Sequence, residues 1–102
     1  SYEKAKDYYE QAAQLGQPNA QFNLGVMYEH GHGIEKSYEK AVEYYEQAAH
    51  LGLADAQYNL GGMYYAGQGV ERDLLKPREW WTKSAAQGHE NAIENLKRTQ
   101  GM

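Results

Sequence analysis

Two stretches of the sequence decide the fold: residues 20–28 read AQFNLGVMY, and residues 56–64 read AQYNLGGMY. They lie 36 positions apart, and the flanking sequence repeats at the same offset, as in YYEQAA at 8–13 and 44–49. A third, looser copy begins at Ala92. A fixed period of this length without gaps predicts a repeat protein in which each unit packs against its neighbours.

Each period contains the pattern of two helices separated by glycines. Ala20, Leu24 and Tyr28 are spaced four residues apart, which places them on one buried face of a helix. Gly-x-Gly pairs at 31–33 and 67–69 end such helices, because glycine adopts positive φ without strain. Short loops make neighbouring helices antiparallel. The sequence predicts six helices, near residues 2–15, 19–30, 38–51, 55–66, 77–87 and 90–99.

Polar residues at the helix starts are expected to be N-caps. Asn19, Asp55 and Asn91 precede the first helix of each pair, and their side chains can accept hydrogen bonds from the free amides of the first turn. Ser37 and Asp73 are expected to cap the second helices in the same way.

Some residues inside the helices predict how the helices pack. Gly25 and Gly61 recur although glycine in a helix costs about 1 kcal/mol relative to alanine, which predicts a close approach of two helices. The third copy has Lys97 at this position, as expected of a polar end cap. Four tyrosines fall on predicted buried faces and are expected in the core: Tyr9, Tyr28, Tyr45 and Tyr64.

Composition excludes several classes of function. The chain has 102 residues, a formal net charge of −4 and no cysteine. A negative charge disfavours non-specific binding of nucleic acid or anionic lipid, and no apolar run approaches the roughly 20 residues of a membrane span. Without cysteine no disulfide can form, so a reducing compartment is permitted but not required.

The motif Ala-x-x-x-Leu-Gly-x-x-Tyr-x-x-Gly-x-Gly, followed by Lys-Ala-x-x-Tyr-Tyr-x-x-Ala-Ala-x-x-Gly, resembles the Sel1-like repeat (SLR) family, a relative of the tetratricopeptide repeat. The resemblance implies an all-α, right-handed α/α superhelix of antiparallel helix pairs that acts as an adaptor between proteins. A start in mid-repeat suggests an excised piece of a longer protein or an N-terminal cap. The resemblance divides one domain, 1–102, into a half repeat 1–19, repeats 20–55 and 56–91, and a C-terminal cap helix 92–102.

The resemblance also implies a binding surface on the concave face, which is lined by the first helix of each pair. The expected binding residues are Phe22, Asn23, Val26, Glu29, Tyr58, Asn59, Gly62, Tyr65 and Arg98. Phe22, Tyr58 and Tyr65 lie off the core stripe, so they are either anchors for a partner or packed between adjacent repeats. Asn23, Asn59 and Asn95 recur once per repeat and either hydrogen-bond an extended peptide or satisfy a neighbouring loop.

Catalytic chemistry has no support in the sequence. A transition metal needs three or four matched ligands, and His30-x-His32 offers two, so no metal site and no cofactor are predicted. There is no cysteine, and no serine stands near a histidine and an orienting acid in a known motif. The predicted function is a protein-interaction scaffold for a basic or partly aromatic segment, without enzymatic activity. Two alternatives are a solenoid that self-associates through its ends and a regulatory or targeting arm of a larger protein.

Overall fold

The computed structural model describes residues 1–101, and that range contains six α-helices and no strand. Each helix packs chiefly against the helices before and after it, which produces an elongated body of 44 × 24 × 18 Å. The predicted all-α repeat fold is confirmed, and every helix end lies within one residue of its predicted position. The helices are α1 (Tyr2–Gln14), α2 (Pro18–His30), α3 (Tyr38–His50), α4 (Ala54–Ala66), α5 (Lys76–Ala86) and α6 (Glu90–Arg98).

The core is built from small residues and a few large ones. Ala41, Ala48 and Ala56 have no exposed surface, and neither do Leu60 and Tyr45. At Gly25 and Gly61 the neighbouring helix packs through an aromatic ring, so the missing Cβ makes room for a large side chain. The ring of Tyr45 in α3 lies against Gly25 of α2, where a Cβ atom would overlap it, and Trp81 of α5 lies in the same way against Gly61 of α4.

The helices α2, α4 and α6 start two residues earlier than the predicted caps require. Asn19, Asp55 and Asn91 therefore lie within the first turn, and the prediction that they are N-caps is wrong. The N-cap positions are instead Gln17, Leu53 and His89. Each follows a glycine in the left-handed conformation, so the chain enters the helix directly from a tight turn. In α2, Pro18 at the first helical position reinforces this start.

The predicted caps of the second helices, Ser37 and Asp73, both bind backbone amides near the start of their helix. The Ser37 hydroxyl accepts from the Lys40 amide at 3.2 Å, which confirms Ser37 as the N-cap of α3. The Asp73 carboxylate accepts from the amides of Leu75 and Lys76 at 2.7 and 2.9 Å. It thus fixes the turn that leads into α5, whose N-cap position is Leu75.

Two of the four predicted core tyrosines are fully part of the core. Tyr28 and Tyr45 are buried, whereas Tyr9 and Tyr64 are half-buried. Tyr64 remains partly open because its hydroxyl reaches out to donate to Glu46 at 2.8 Å. Within residues 1–101 no helix is both long and apolar enough to cross a membrane.

Candidate functional site

An open groove of about 320 Å³ lies between α2 and α4. It brings together four of the nine predicted binding residues: Glu29, Tyr58, Asn59 and Gly62. The other three lining residues, His30, Met63 and Gln68, are not among those nine. We call this surface the α2/α4 groove.

Gly62 keeps the α2/α4 groove open. A Cβ atom added at Gly62 would meet no other atom within 4 Å, in contrast to the neighbouring Gly61. The equivalent residue in α2 is Val26, a half-buried side chain that packs against the core. The change from valine to glycine therefore leaves space on the surface of α4 beside Tyr58.

Glu29 is held in the groove by a buried tyrosine. The Tyr45 hydroxyl, on a side chain with no exposed surface, donates to Glu29 Oε1 at 2.6 Å. Burial, followed by this hydrogen bond, raises the pKa of Tyr45 well above its ordinary value. One buried phenol thus orients the carboxylate of the groove.

The next repeat replaces this polar arrangement with an aromatic one. Thirty-six residues further on, Glu29 becomes Tyr65 and Tyr45 becomes Trp81. The Tyr65 and Trp81 rings pack with centroids 5.7 Å apart, and Trp81 Nε1 donates to the Tyr58 carbonyl at 3.1 Å. Positions 29 and 45 thus change together between the two repeats. A comparison of the repeats could therefore have indicated that these two positions are in contact.

The three predicted aromatic anchors are half-buried and not fully exposed. Phe22 packs against Tyr45 with ring centroids 5.8 Å apart, and Tyr58 stacks on His89 at 4.7 Å. Phe22 and Tyr65 therefore each contact the second helix of their own repeat, and Tyr58 contacts the N-cap residue of α6, the first helix of the following repeat. Of these three aromatic residues, Tyr58 also lines the α2/α4 groove.

His89 fixes the orientation of Tyr58. Its Nε2 lies 3.0 Å from Asp55 Oδ1, and its Nδ1 accepts from the Ala92 amide at 3.2 Å. Because Nδ1 is the acceptor, Nε2 bears the proton and donates to Asp55. Asp55 is thereby paired, which leaves Glu29 as the carboxylate that faces the groove.

The asparagines and Arg98 do not form one continuous site. Asn23, Asn59 and Asn95 are all half-buried, but of these three only Asn59 lines the α2/α4 groove. Among the described residues, the Asn23 and Asn95 side chains form no hydrogen bond. Arg98 is exposed at the end of α6 and does not line the groove.

A second groove, of about 390 Å³, lies between α3 and α5, and the sequence did not predict it. Its lining residues are Glu46, His50, Tyr64, Lys76, Glu79, Trp80 and Lys83. The lysines Lys76 and Lys83 lie over the rings of Tyr64 and Trp80, at 4.9 and 4.8 Å from the centroids. Burial and the hydrogen bond to Glu46 raise the pKa of Tyr64 to about 12. Two lysines balance two glutamates here, so the groove has no dominant charge.

Metal ligands do not cluster in the described part of the chain. Within residues 1–101 no group of three or more His, Asp or Glu side chains could hold a metal ion. His30 and His32 stack with their ring centroids 5.5 Å apart, and Tyr2 stacks on His32 at 5.3 Å.

Two features of the fold define an α-helical repeat protein. Its antiparallel helix pairs recur at a fixed 36-residue offset, and within each pair an aromatic ring packs over a helical glycine. The Sel1 repeat family model matches residues 1–17, 18–53 and 54–89. The chain belongs to the Sel1 repeat family, whose members are generally protein-interaction scaffolds.

Solved structures of bacterial Sel1-like proteins have the same fold. A Sel1 repeat protein from Oxalobacter formigenes is 41% identical, with a TM-score of 0.89 over 90% of this chain and 69% of its own. Cysteine rich protein B of Helicobacter pylori is 31% identical, with a TM-score of 0.89 over 94% of this chain and 72% of its own. The uropathogenic Escherichia coli protective antigen c5321 is 37% identical, with a TM-score of 0.87 over 88% of this chain and 19% of its own.

A curated relative matches over a single repeat. The protein named putative beta-lactamase HcpC, from Helicobacter pylori strain J99, is 47% identical over 36 residues. The matched region is 35% of this chain and spans 12% of the length of that relative.

Proposed function

We propose that the chain binds a segment of another protein in the α2/α4 groove. The observation that supports this most directly is the gap left by Gly62, beside an oriented carboxylate and a fixed aromatic ring. Binding sites combine open space with a few well-placed polar groups, and Glu29 and Asn59 supply such groups here. The general scaffold role of the family agrees with this assignment.

The proposal includes no enzymatic activity, although a relative bears the name of a beta-lactamase. Serine beta-lactamases use a Ser-x-x-Lys motif, and Ser37-Tyr38-Glu39-Lys40 has that spacing. The Ser37 hydroxyl, however, accepts from the Lys40 amide as a helix cap, and the Lys40 ammonium lies 5.4 Å from the Tyr28 ring centroid. We expect no hydrolysis of a chromogenic beta-lactam that depends on Ser37. Turnover that is lost in Ser37→Ala, with the helix content retained, would contradict this part of the proposal.

The binding proposal can be tested by NMR with isotope-labelled protein and a library of basic and aromatic peptides. We expect shift changes that cluster on the backbone amides of Glu29, Tyr58, Asn59 and Gly62. The variant Gly62→Val should abolish them, because it fills the groove with the side chain that α2 already has at Val26.

Gly62→Val is a better probe than a change of Tyr58, whose ring contacts His89 and contributes to packing. Asn23→Ala serves as the matched control. Asn23 is the residue of α2 equivalent to Asn59 but lies outside the groove, so this variant should bind as the wild type does. Peptide binding that survives Gly62→Val, or shifts confined to α1 and α6, would show that the groove is not the working surface.

A further inference from the structure

We infer that the segment bound in the α2/α4 groove presents an arginine side chain to Glu29 and Asn59. This inference rests on the proposed function and names the chemistry of its partner.

The first step is the charge of the groove. Glu29 is half-buried and forms no ion pair within residues 1–101. None of the seven lining residues is a lysine or an arginine. A carboxylate in a partly desolvated site gains from a cationic partner, and a charge-assisted hydrogen bond is about twice as strong as a neutral one.

The second step is the orientation of the acceptors. Tyr45 donates to Glu29 Oε1, so Oε2 is left without a hydrogen bond among the described residues. Asn59 lines the same groove, and its side-chain carbonyl oxygen has no hydrogen-bond partner within residues 1–101, so it is available as an acceptor. The groove therefore offers two acceptors, one on α2 and one on α4, and the Glu29 carboxylate is positioned by a buried side chain that cannot move without disrupting the core.

The third step is the donor that fits two such acceptors. A guanidinium group has five N–H donors in a rigid plane, whereas a lysine ammonium is a compact point charge. The flat face of the guanidinium can also pack against an aromatic ring, and Tyr58 provides such a ring in the groove. Gly62 leaves room for the backbone of the incoming segment.

The test uses the full chain and four pentapeptides, acetyl-Tyr-Gly-X-Gly-Tyr-amide, in which X is arginine, lysine, citrulline or glutamate. Citrulline has nearly the shape of arginine without the charge. We expect the arginine peptide to bind at least tenfold more tightly than the citrulline and glutamate peptides, with shifts at Asn59 and Gly62. We expect this advantage to disappear in Glu29→Gln and to persist in Glu94→Gln, which removes an exposed carboxylate of α6.

The outcomes separate the two proposals. Equal binding of the arginine and citrulline peptides in the groove, or an arginine preference that survives Glu29→Gln, would overturn the inference and leave the groove as the binding surface. Equal or tighter binding of the lysine peptide would replace arginine by lysine as the partner residue. Failure of these peptides and of the wider library to shift the groove amides would overturn the proposed function itself. As a control, circular dichroism of Glu29→Gln should show the helix content of the unchanged protein.

Discussion

At the scale of single residues, the buried glutamines show how a repeat can satisfy a polar group in one copy and not in another. Gln21 and Gln57 occupy equivalent positions, and the amide nitrogen of each donates to an alanine carbonyl of the preceding helix. Gln57 Oε1 accepts from Gln87 Nε2 at 3.0 Å, and the same nitrogen also donates to the Gly52 carbonyl. Gln21 Oε1 is buried with no partner within residues 1–101, because the residue equivalent to Gln87 is Leu51.

The substitution Leu51→Gln should therefore stabilise the protein. A glutamine at this position can give Gln21 Oε1 the donor that Gln87 gives to Gln57, and a satisfied hydrogen bond contributes about 1 kcal/mol. Little apolar burial is lost, since Leu51 is 56% exposed. Chemical denaturation should show a higher free energy of unfolding for Leu51→Gln and a lower one for the reciprocal variant Gln87→Leu.

Leu15→Gln is the matched control for this effect. Leu15 is equivalent to Leu51 in the preceding repeat and is 80% exposed, and it has no equivalent buried glutamine to serve. A similar gain in both variants would point to a general benefit of removing exposed leucines instead of a hydrogen bond to Gln21.

Tyrosine ionisation should destabilise the fold at alkaline pH. The pKa of Tyr64 rises from 10.0 to about 12 on folding, so the folded state retains a proton that the unfolded chain loses. The contribution of Tyr64 to stability is therefore complete below pH 10 and falls as the pH rises from 10 toward 12. Unfolding free energies across this range should decline less steeply in Tyr64→Phe. An unchanged slope would show that folding does not raise the pKa of Tyr64.

At the scale of the helix, adjacent glycines in α4 have opposite roles. The Trp81 ring occupies the space where a Cβ atom of Gly61 would lie, whereas the space at Gly62 is open. The first glycine permits the contact between α4 and α5, and the second leaves a gap on the surface. Both have the same low helix propensity, so only their neighbours distinguish them.

This difference predicts opposite effects of the same substitution. Gly61→Ala should lower the free energy of unfolding by about 1–3 kcal/mol, as expected for overpacking in a core. Gly62→Ala should raise it by up to about 1 kcal/mol through helix propensity alone. Thermal and denaturant unfolding of the two variants measure this directly. Destabilisation by both substitutions would contradict the assignment of Gly62 to an open surface.

The helices themselves were predictable because the signals are local and repeat. Apolar residues every three or four positions and glycines after each helix fixed the ends of α1 to α6 to within one residue. The N-caps of α2, α4 and α6 were not predictable, because the turn at each left-handed glycine starts the helix two residues earlier than the polar residue suggests.

The binding residues were predictable only in part, for a physical reason. The resemblance to the family placed Glu29, Tyr58, Asn59 and Gly62 on the concave face, and the structure gathers these four in one groove. The hydrogen bond from Tyr45 joins residues 16 positions apart on different helices, so its geometry depends on how the helices pack. The same applies to Ser84, which replaces an alanine of the other copies and donates to the Ala54 carbonyl at 2.8 Å.

At the scale of the whole molecule, each end of the elongated body exposes a helix face whose equivalent is covered inside the chain. On α1, Tyr8 is 66% exposed, whereas its equivalent Tyr44 is half-buried against Tyr28. On α6, Leu96 is half-buried, whereas its equivalent Leu60 has no exposed surface. Both ends therefore present faces that pack against another helix elsewhere in the chain.

A head-to-tail contact between two copies would place α6 of one copy against α1 of the other, as α4 packs against α5 within the chain. In that register Lys97 takes the position of Gly61, and Tyr9 takes that of Trp81. Any residue with a Cβ atom overlaps the aromatic ring at this position, as the geometry at Gly61 demonstrates. We therefore expect the chain to be monomeric, with Lys97 preventing end-to-end assembly.

The variant Lys97→Gly should then form concentration-dependent head-to-tail dimers or longer assemblies, which sedimentation velocity would detect as a rising weight-average mass. Lys97→Ala removes the same charge but retains a Cβ atom, so it should remain monomeric. Assembly of Lys97→Ala to the same extent would show that the charge of Lys97, and not the overlap of its Cβ atom with the aromatic ring, keeps the ends apart. Self-association of the unchanged protein through α1 and α6 would show that the ends join in a register that avoids Lys97.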